Sequence, residues 1–280
     1  MRIRLNGQWK TCDVRRLHAL RAAECGPDAQ DFITIYNGFA TPEDQPLQEG
    51  DEIVLIRQGE MPPREALEAM LGARHTPGVY QKVKKARVAV AGLGGLGSAI
   101  ALALARTGVG QLHLIDFDRV EPSNLNRQQY RICQLGMYKA QALKEEIGEI
   151  NPYVQVQADC LRLNAENAAQ VLSRDEIICE AFDGAQDKAM LVDTVLEQLP
   201  GKPIVAASGM AGYGSANAII TRRLGENLYL CGDGRSAAQP GWGLMAPRVM
   251  VCAGHQEMCI RDSPLRGDEH AGAGGHPPGL

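Results

Sequence analysis

The residues best suited to chemistry lie between Gly92 and Lys139. Gly92-Leu93-Gly94-Gly95-Leu96-Gly97 fits G-x-G-x-x-G, with the apolar run Val88 to Ala91 before it and a helical pattern from Leu96 to Arg106 after it. Glycines there let backbone approach a phosphate, and a helix N-terminus adds N–H donors and partial positive charge. Asp116 closes the next apolar run, Leu112 to Ile115, where a carboxylate can hold ribose hydroxyls, and Asp118 lies two residues further on. To this point NAD and ATP are both allowed.

Asn124, Arg127 and Lys139 follow in the loop and helix after that second strand and point the reading toward a polyphosphate. Arg grips phosphate oxygens with a planar fork and Lys supplies a mobile point charge. Taken singly, either reads as an ordinary surface charge; together they suit a group whose charge grows as pyrophosphate leaves, where charge stabilisation is the largest catalytic contribution. Arg127, Lys139 and Asp183 are the expected catalytic residues. The expected nucleotide-binding set is Gly92, Gly94, Gly95, Gly97, Asp116, Asp118, Asn124, Arg127 and Lys139. Asp183, just past the run Ile177 to Ala181, is the expected Mg²⁺ ligand, the alternative being an N-cap of the next helix.

Positioning these residues requires an α/β fold. From Arg87, strand-like and helical runs alternate: helices at Tyr138 to Ile150, Asn164 to Leu172 and Ala185 to Leu199, strands at Val154 to Val156, Ile177 to Ala181 and Ile204 to Ala207. That alternation predicts a Rossmann-like, doubly wound, mainly parallel sheet with helices on both faces. Shorter strands are expected at Ser215 to Thr221 and Leu228 to Cys231. Before this domain, Asn6-Gly7 between Ile3–Leu5 and Trp9–Thr11 is a hairpin signal. A helix from Val14 to Ala23 capped by Asp13, then strands at Phe32 to Tyr36 and Ile53 to Ile56, complete the element order of a small β-grasp, ubiquitin-like domain. The expected division is residues 1–60 β-grasp, 61–85 helical linker, 86–256 ATP-binding domain and 257–280 an irregular Gly/Pro-rich tail, read either as disordered or as a non-native join.

Of 280 residues, 45% are hydrophobic and 22% charged, with net charge −4, so no global basic field points to nucleic acid. Val88 to Ala105 is uncharged over a length that could span a membrane, but four glycines break it and a strand, turn and helix explain it better. The eight cysteines form no C-x-x-C pair, and with no leader pattern at the start, reduced thiols and a cytoplasmic location are expected.

The N-terminal segment resembles sulfur carrier proteins of the ThiS kind at Met1-Arg2-Ile3-Arg4-Leu5-Asn6-Gly7, Tyr36-Asn37-Gly38-Phe39-Ala40 and Glu49-Gly50-Asp51-Glu52. Such carriers end in a reactive Gly-Gly carboxylate; here Gly59 runs on into Glu60-Met61-Pro62-Pro63, so a docking or stabilising module is the better reading. From about Arg87 to Gln256 the chain resembles the ThiF/MoeB/HesA family, relatives of ubiquitin-activating enzymes. The resemblance rests on Gly92 to Ser98, Asp116-x-Asp118-x-Val120-x-x-Ser123-Asn124-Leu125-Asn126-Arg127-Gln128, Gly136-x-x-Lys139, Asn151-Pro152 and Glu180-Ala181-Phe182-Asp183. The last motif, with Ala207 to Gly212 and Cys231-Gly232-Asp233, is most similar to the ThiF branch linked to thiamine biosynthesis.

This resemblance implies adenylation, with ATP and Mg²⁺, of the C-terminal glycine carboxylate of a ThiS-type carrier, with sulfur coming from a separate donor protein. Asp116 would hold the ribose, Asn124, Arg127 and Lys139 the phosphates, and Asp183 the magnesium. Two C-x-x-C pairs that hold zinc in many relatives are missing, so no zinc is expected. Cys231 is the candidate sulfur-transfer thiol, although a buried structural cysteine is the simpler reading. The relatives' N-terminal R-x-x-R-Q pattern is also missing, which leaves Arg74 as its candidate replacement and a homodimer as an open expectation. An NAD-dependent oxidoreductase and a non-catalytic carrier-binding scaffold are the rival readings.

Overall fold

Asn6 and Gly7 take φ of 47° and 82°, the backbone twist that a two-residue hairpin requires. β1 (Arg2–Leu5) and β2 (Gln8–Thr11) pair antiparallel across them. Asn37-Gly38 repeats the device between β3 (Phe32–Tyr36) and β4 (Phe39–Ala40). β5 (Glu52–Arg57) enters between the hairpins, parallel to β1 and antiparallel to β3, giving the order β2-β1-β5-β3-β4. Asp51 explains the motifs around these turns: buried, it accepts from Tyr36 Oη, Asn37 Nδ2 and Gln48 N at 2.9, 2.9 and 2.7 Å.

α1 (Leu17–Cys25) lays Leu17 and Leu20 against Ile3, Leu5, Ile53 and Leu55. It starts later than the expected Val14, and Asp13 is not its cap. Arg16 stays extended and bridges to Pro46, while Asp44, distant in sequence, accepts from both Arg16 Nε and His18 N at 2.8 Å. The His18 N–H and the Arg16 guanidinium hold the Asp44 carboxyl below the usual range.

The computed structural model describes residues 1–62 and 64–262. After α2 (Arg64–Leu71) and α3 (Val79–Val83), the chain divides into two compact units, Met1–Gln81 and Lys82–Leu280. The second unit runs β6 (Arg87–Ala91), α4 (Gly95–Thr107), β7 (Gln111–Ile115), α5 (Lys139–Ile150), β8 (Gln155–Asp159), α6 (Ala168–Val171) and β9 (Ile177–Glu180), then α7 (Ala185–Gln198), β10 (Ile204–Ala207), β11 (Ile220–Arg223), β12 (Leu228–Gly232) and α8 (Ala246–Asp262).

The sheet order is β11-β12-β10-β9-β6-β7-β8, all parallel except β11 at the edge. Its six parallel strands read 3-2-1-4-5-6, the order of a doubly wound dinucleotide-binding sheet. α4, α5 and α8 pack together on one face, α6 and α7 on the other. Alternation along β6 serves both: Ala89 and Ala91 join Leu163, Leu172, Leu191 and Val195 in the α6–α7 core, while Val90 faces Gly97 of α4.

Several boundaries differ from expectation. β8 begins at Gln155 and runs on to Asp159. α6 is a single turn, because Asn164 Oδ1 accepts from Glu166 N and Asn167 N and folds the start of the expected helix into a side-chain-capped turn. Ser215 likewise caps a 3₁₀ turn at Ala216–Ala218, delaying β11 to Ile220. The expected irregular stretch from 257 is helical through Asp262, with Cys259 and Ile260 buried; the remainder of that expectation lies outside the described residues. The uncharged run Val88 to Ala105 is β6, its loop and α4, and among the described residues no helix is long and apolar enough to cross a membrane.

Candidate nucleotide site

β6 and β9 are neighbours whose following helices, α4 and α7, leave toward opposite faces, which opens a crevice at their C-terminal ends. Gly92 has φ 89°, and a Cβ there would stand 2.8 Å from the Ala181 carbonyl oxygen and the Phe182 ring. A Cβ on Gly97 would land on the Gly92 carbonyl. The two glycines thus let strand, loop and helix close on one another. Gly94 is the N-cap of α4 and supplies no side-chain cap, leaving the first N–H groups of the helix for a ligand.

Asp116 fixes this loop. Its Oδ2 accepts from Leu93 N at 2.6 Å and its Oδ1 from Asp118 N at 2.7 Å. Burial pushes its pKa up, opposed by these two N–H bonds. An ionised carboxylate has about four acceptor positions, so lone pairs remain for ribose hydroxyls. Tyr130, to which no motif in the sequence drew attention, donates its hydroxyl to the Leu93 carbonyl at 2.7 Å and pins the loop from the other side.

Lys139 heads α5, is buried, and reaches Asp118 Oδ2 with Nζ at 2.9 Å. Asn124 serves its own turn, where its Oδ1 accepts from Glu121 N at 3.0 Å and caps the 3₁₀ segment Pro122–Asn124. Arg127 packs its stem over the first turn of α4, with Cγ 3.5 Å from where a Gly95 Cβ would be. Its Nη1 donates to Ser123 O and Asn126 Oδ1, while its buried Nε has no hydrogen-bond partner. Gln128 Oε1 beside it is likewise buried and unpartnered. Unpaired polar atoms of this kind call for an occupant.

Asp183 is exposed, and the N-cap of α7 is Gly184, so the capping alternative is not taken. Its Oδ1 lies 3.9 Å from where a Gly94 Cβ would be, so the carboxylate faces the phosphate cradle. One crevice therefore gathers Gly92, Gly94, Asp116, Asp118, Lys139 and Asp183. Gly95 lines an adjoining cavity, which shares Phe182 and Asp183 with the first.

That second cavity is walled largely by small residues, among them Ala185, Ser208, Gly209, Ala211 and Ala237. Beneath it Lys188 Nζ meets both oxygens of the fully buried Glu180 at 2.9 and 3.1 Å. Glu180 also accepts from Phe182 N at 2.6 Å, which shapes the loop carrying Asp183. Burial raises the Glu180 pKa, with Lys188 opposing. Three residues before the cavity-lining Ser236, Asp233 accepts from Arg235 N, Ser236 N, Ser236 Oγ and Arg248 Nη2. Its burial is outweighed by these donors, and its pKa falls to about 2. Cys231 is buried with its thiol pushed upward by Cys259 and by burial, the condition of a structural cysteine. Arg74 is an exposed residue of the first unit.

A doubly wound sheet with an uncapped helix N-terminus, cations and a carboxylate at its switch point defines an α/β domain of Rossmann-like architecture. More particularly, the chain belongs to the ThiF family, whose model matches residues 68–257, and a ThiS-like ubiquitin model matches residues 1–59. The adenylyltransferase and sulfurtransferase MOCS3 of Xenopus laevis is 38% identical over 134 residues, 48% of this chain and 29% of that protein. The similarly named UBA4 of Candida glabrata is 32% identical over 151 residues, 54% of this chain and 34% of that protein. The chain thus matches only a third or so of the length of these relatives.

Among solved structures, the E. coli tRNA N6-threonylcarbamoyladenosine dehydratase TcdA in complex with ATP superposes with TM-score 0.65 at 22% identity, covering 72% of this chain and 95% of that one. E. coli MccB with ATP gives 0.52 at 22% identity, covering 74% and 65%. At these identities the likeness establishes the fold.

Proposed function

We propose that this chain adenylates the C-terminal glycine carboxylate of a ubiquitin-like carrier, using ATP and releasing pyrophosphate. The observation that carries it is the set of groups on the first turn of α4: uncapped helix N–H donors, the unpartnered Arg127 Nε, and Lys139 and Asp183 on the crevice wall. The second cavity, small-walled and adjoining the first at Phe182 and Asp183, suits entry of a glycine-rich chain end. Relatives named adenylyltransferase, and like-folded proteins solved with ATP, support this reading.

The carboxylate, already ionised at neutral pH, attacks the α-phosphorus and the bond to the β-phosphate oxygen breaks, so no general base is required. The α4 N-terminus, Arg127 and Lys139 meet the charge gathering on the departing pyrophosphate. Asp116 orients the ribose through its remaining lone pairs. An exposed carboxylate facing the first turn of α4 fits Mg²⁺, which is bound by one or two carboxylates and completed by phosphates and water; Asp183 would hold it, and the ion would neutralise phosphate charge.

The finer reading is a ThiS-type carrier ending in Gly-Gly, a separate sulfur donor, and a place in building the thiazole of thiamine in the cytoplasm. The fused ThiS-like domain continues beyond Gly59 into α2, so the carboxylate comes from another chain. Intact-mass measurement of a carrier incubated with the chain and ATP tests this. The carrier should gain an adenylyl group and lose that gain when its last glycine is deleted. ATP binding with no adenylyl-carrier formed would contradict the proposal.

A further inference from the structure

Beyond the glycine loop, the nucleotide crevice is lined by Leu161 and Leu163, with Phe117 and the long cation Arg162 beside them. Arg162 stands with Cζ 5.3 Å from the centre of the Phe117 ring and Nη2 3.7 Å from Asp187 Oδ1. It therefore spans from the loop after β7 to the first turn of α7. We propose that Arg162 is a base-stacking and specificity residue: its guanidinium covers the open face of a purine whose other face rests on the apolar wall.

With the phosphates of ATP on α4 and its ribose at Asp116, the base falls to the crevice lining that Leu161, Arg162 and Leu163 contribute; the assignment rests on that nucleotide reading. An arginine plane is weakly hydrated and stacks on flat rings, which a lysine cannot do. Its present partners hold it loosely, since Phe117 is half exposed and the Arg162 and Asp187 side chains are 66% and 46% exposed. Such an ion pair contributes little in water, so giving it up for a base costs little. The backbone meanwhile is anchored, because the Arg162 carbonyl accepts from Asn167 Nδ2 at 2.9 Å within the turn built on Asn164. A swing of one side chain is enough.

Calorimetric binding of ATP and of inorganic tripolyphosphate to the full chain, with Arg162→Ala and Arg162→Lys, tests the assignment. An exposed side chain of this kind can be replaced with little effect on folding. Both substitutions should weaken ATP by about five- to tenfold, as expected for a lost cation–π stack, and leave tripolyphosphate within about twofold, since that ligand reaches only the phosphate cradle. Wild-type ATP affinity in Arg162→Lys would overturn the stacking role, as would equal weakening of both ligands. A wild-type chain that binds no ATP would instead refute the nucleotide reading on which the inference rests, and the inference with it.

Discussion

Leu93 donates its backbone N–H to Asp116 Oδ2 at 2.6 Å, joining the turn after β6 to the end of β7. The glycine loop is thereby held by the fold itself, and Tyr130 secures the same residue through its carbonyl. Preorganisation of this kind lowers the cost of ordering the loop on binding. Tyr130→Phe should therefore destabilise the fold by about 0.5–1.5 kcal/mol, the net value of one hydrogen bond, and also weaken ATP binding. Urea unfolding alongside nucleotide titration checks both effects, and unchanged ATP affinity would show that the loop needs no such lock.

The close approach of α4 to β6 rests on Gly97. Because a Cβ there would occupy the Gly92 carbonyl position, Gly97→Ala must push helix and loop apart. The expected loss is about 1–3 kcal/mol for overpacking, read as a lowered thermal midpoint together with lost ATP binding.

Fully buried Glu180 pairs with the partly exposed Lys188 and shapes the loop of Asp183. Removing one partner leaves an uncompensated charge, so Glu180→Gln or Lys188→Met alone should cost about 3–5 kcal/mol. The double variant should recover part of that loss, and a double-mutant cycle by chemical denaturation measures the coupling.

Asp233 contributes to the acid limb of stability. Its folded pKa is depressed to about 2, so its contribution is present above the unfolded carboxylate pKa near 4 and is lost as pH falls toward 2. Asp233→Asn should flatten unfolding free energy across that window. At neutral pH it should also destabilise, by about 1–3 kcal/mol, because Arg248 loses a charged partner. Denaturation curves at stepped pH values decide both.

Periodicity and turn chemistry made much of this molecule readable. Asn6-Gly7 and Asn37-Gly38 announce hairpins because their conformation is local, and β6–α4 is legible because strand, glycines and helix are contiguous. What escaped depends on partners distant in sequence. Asp44 moves the start of α1 from 26 residues away, Tyr130 reaches Leu93 over 37, and Gln128 shows its unpartnered oxygen only once folded. Asn124 adds a local role that its motif did not display: its side-chain carbonyl caps its own turn. The persistence of α8 past Glu257 follows from burial of Cys259 and Ile260, which local composition does not display.

The most direct test of the central claim is ATP–pyrophosphate exchange by the full chain, with and without a ThiS-type carrier ending in Gly-Gly, beside Arg127→Ala. Exchange should require the carrier's free C-terminus and fall by about a hundredfold or more in the variant, as loss of a preorganised charge-stabilising donor predicts. Tight ATP binding with no carrier-dependent exchange, or full exchange in Arg127→Ala, would contradict it.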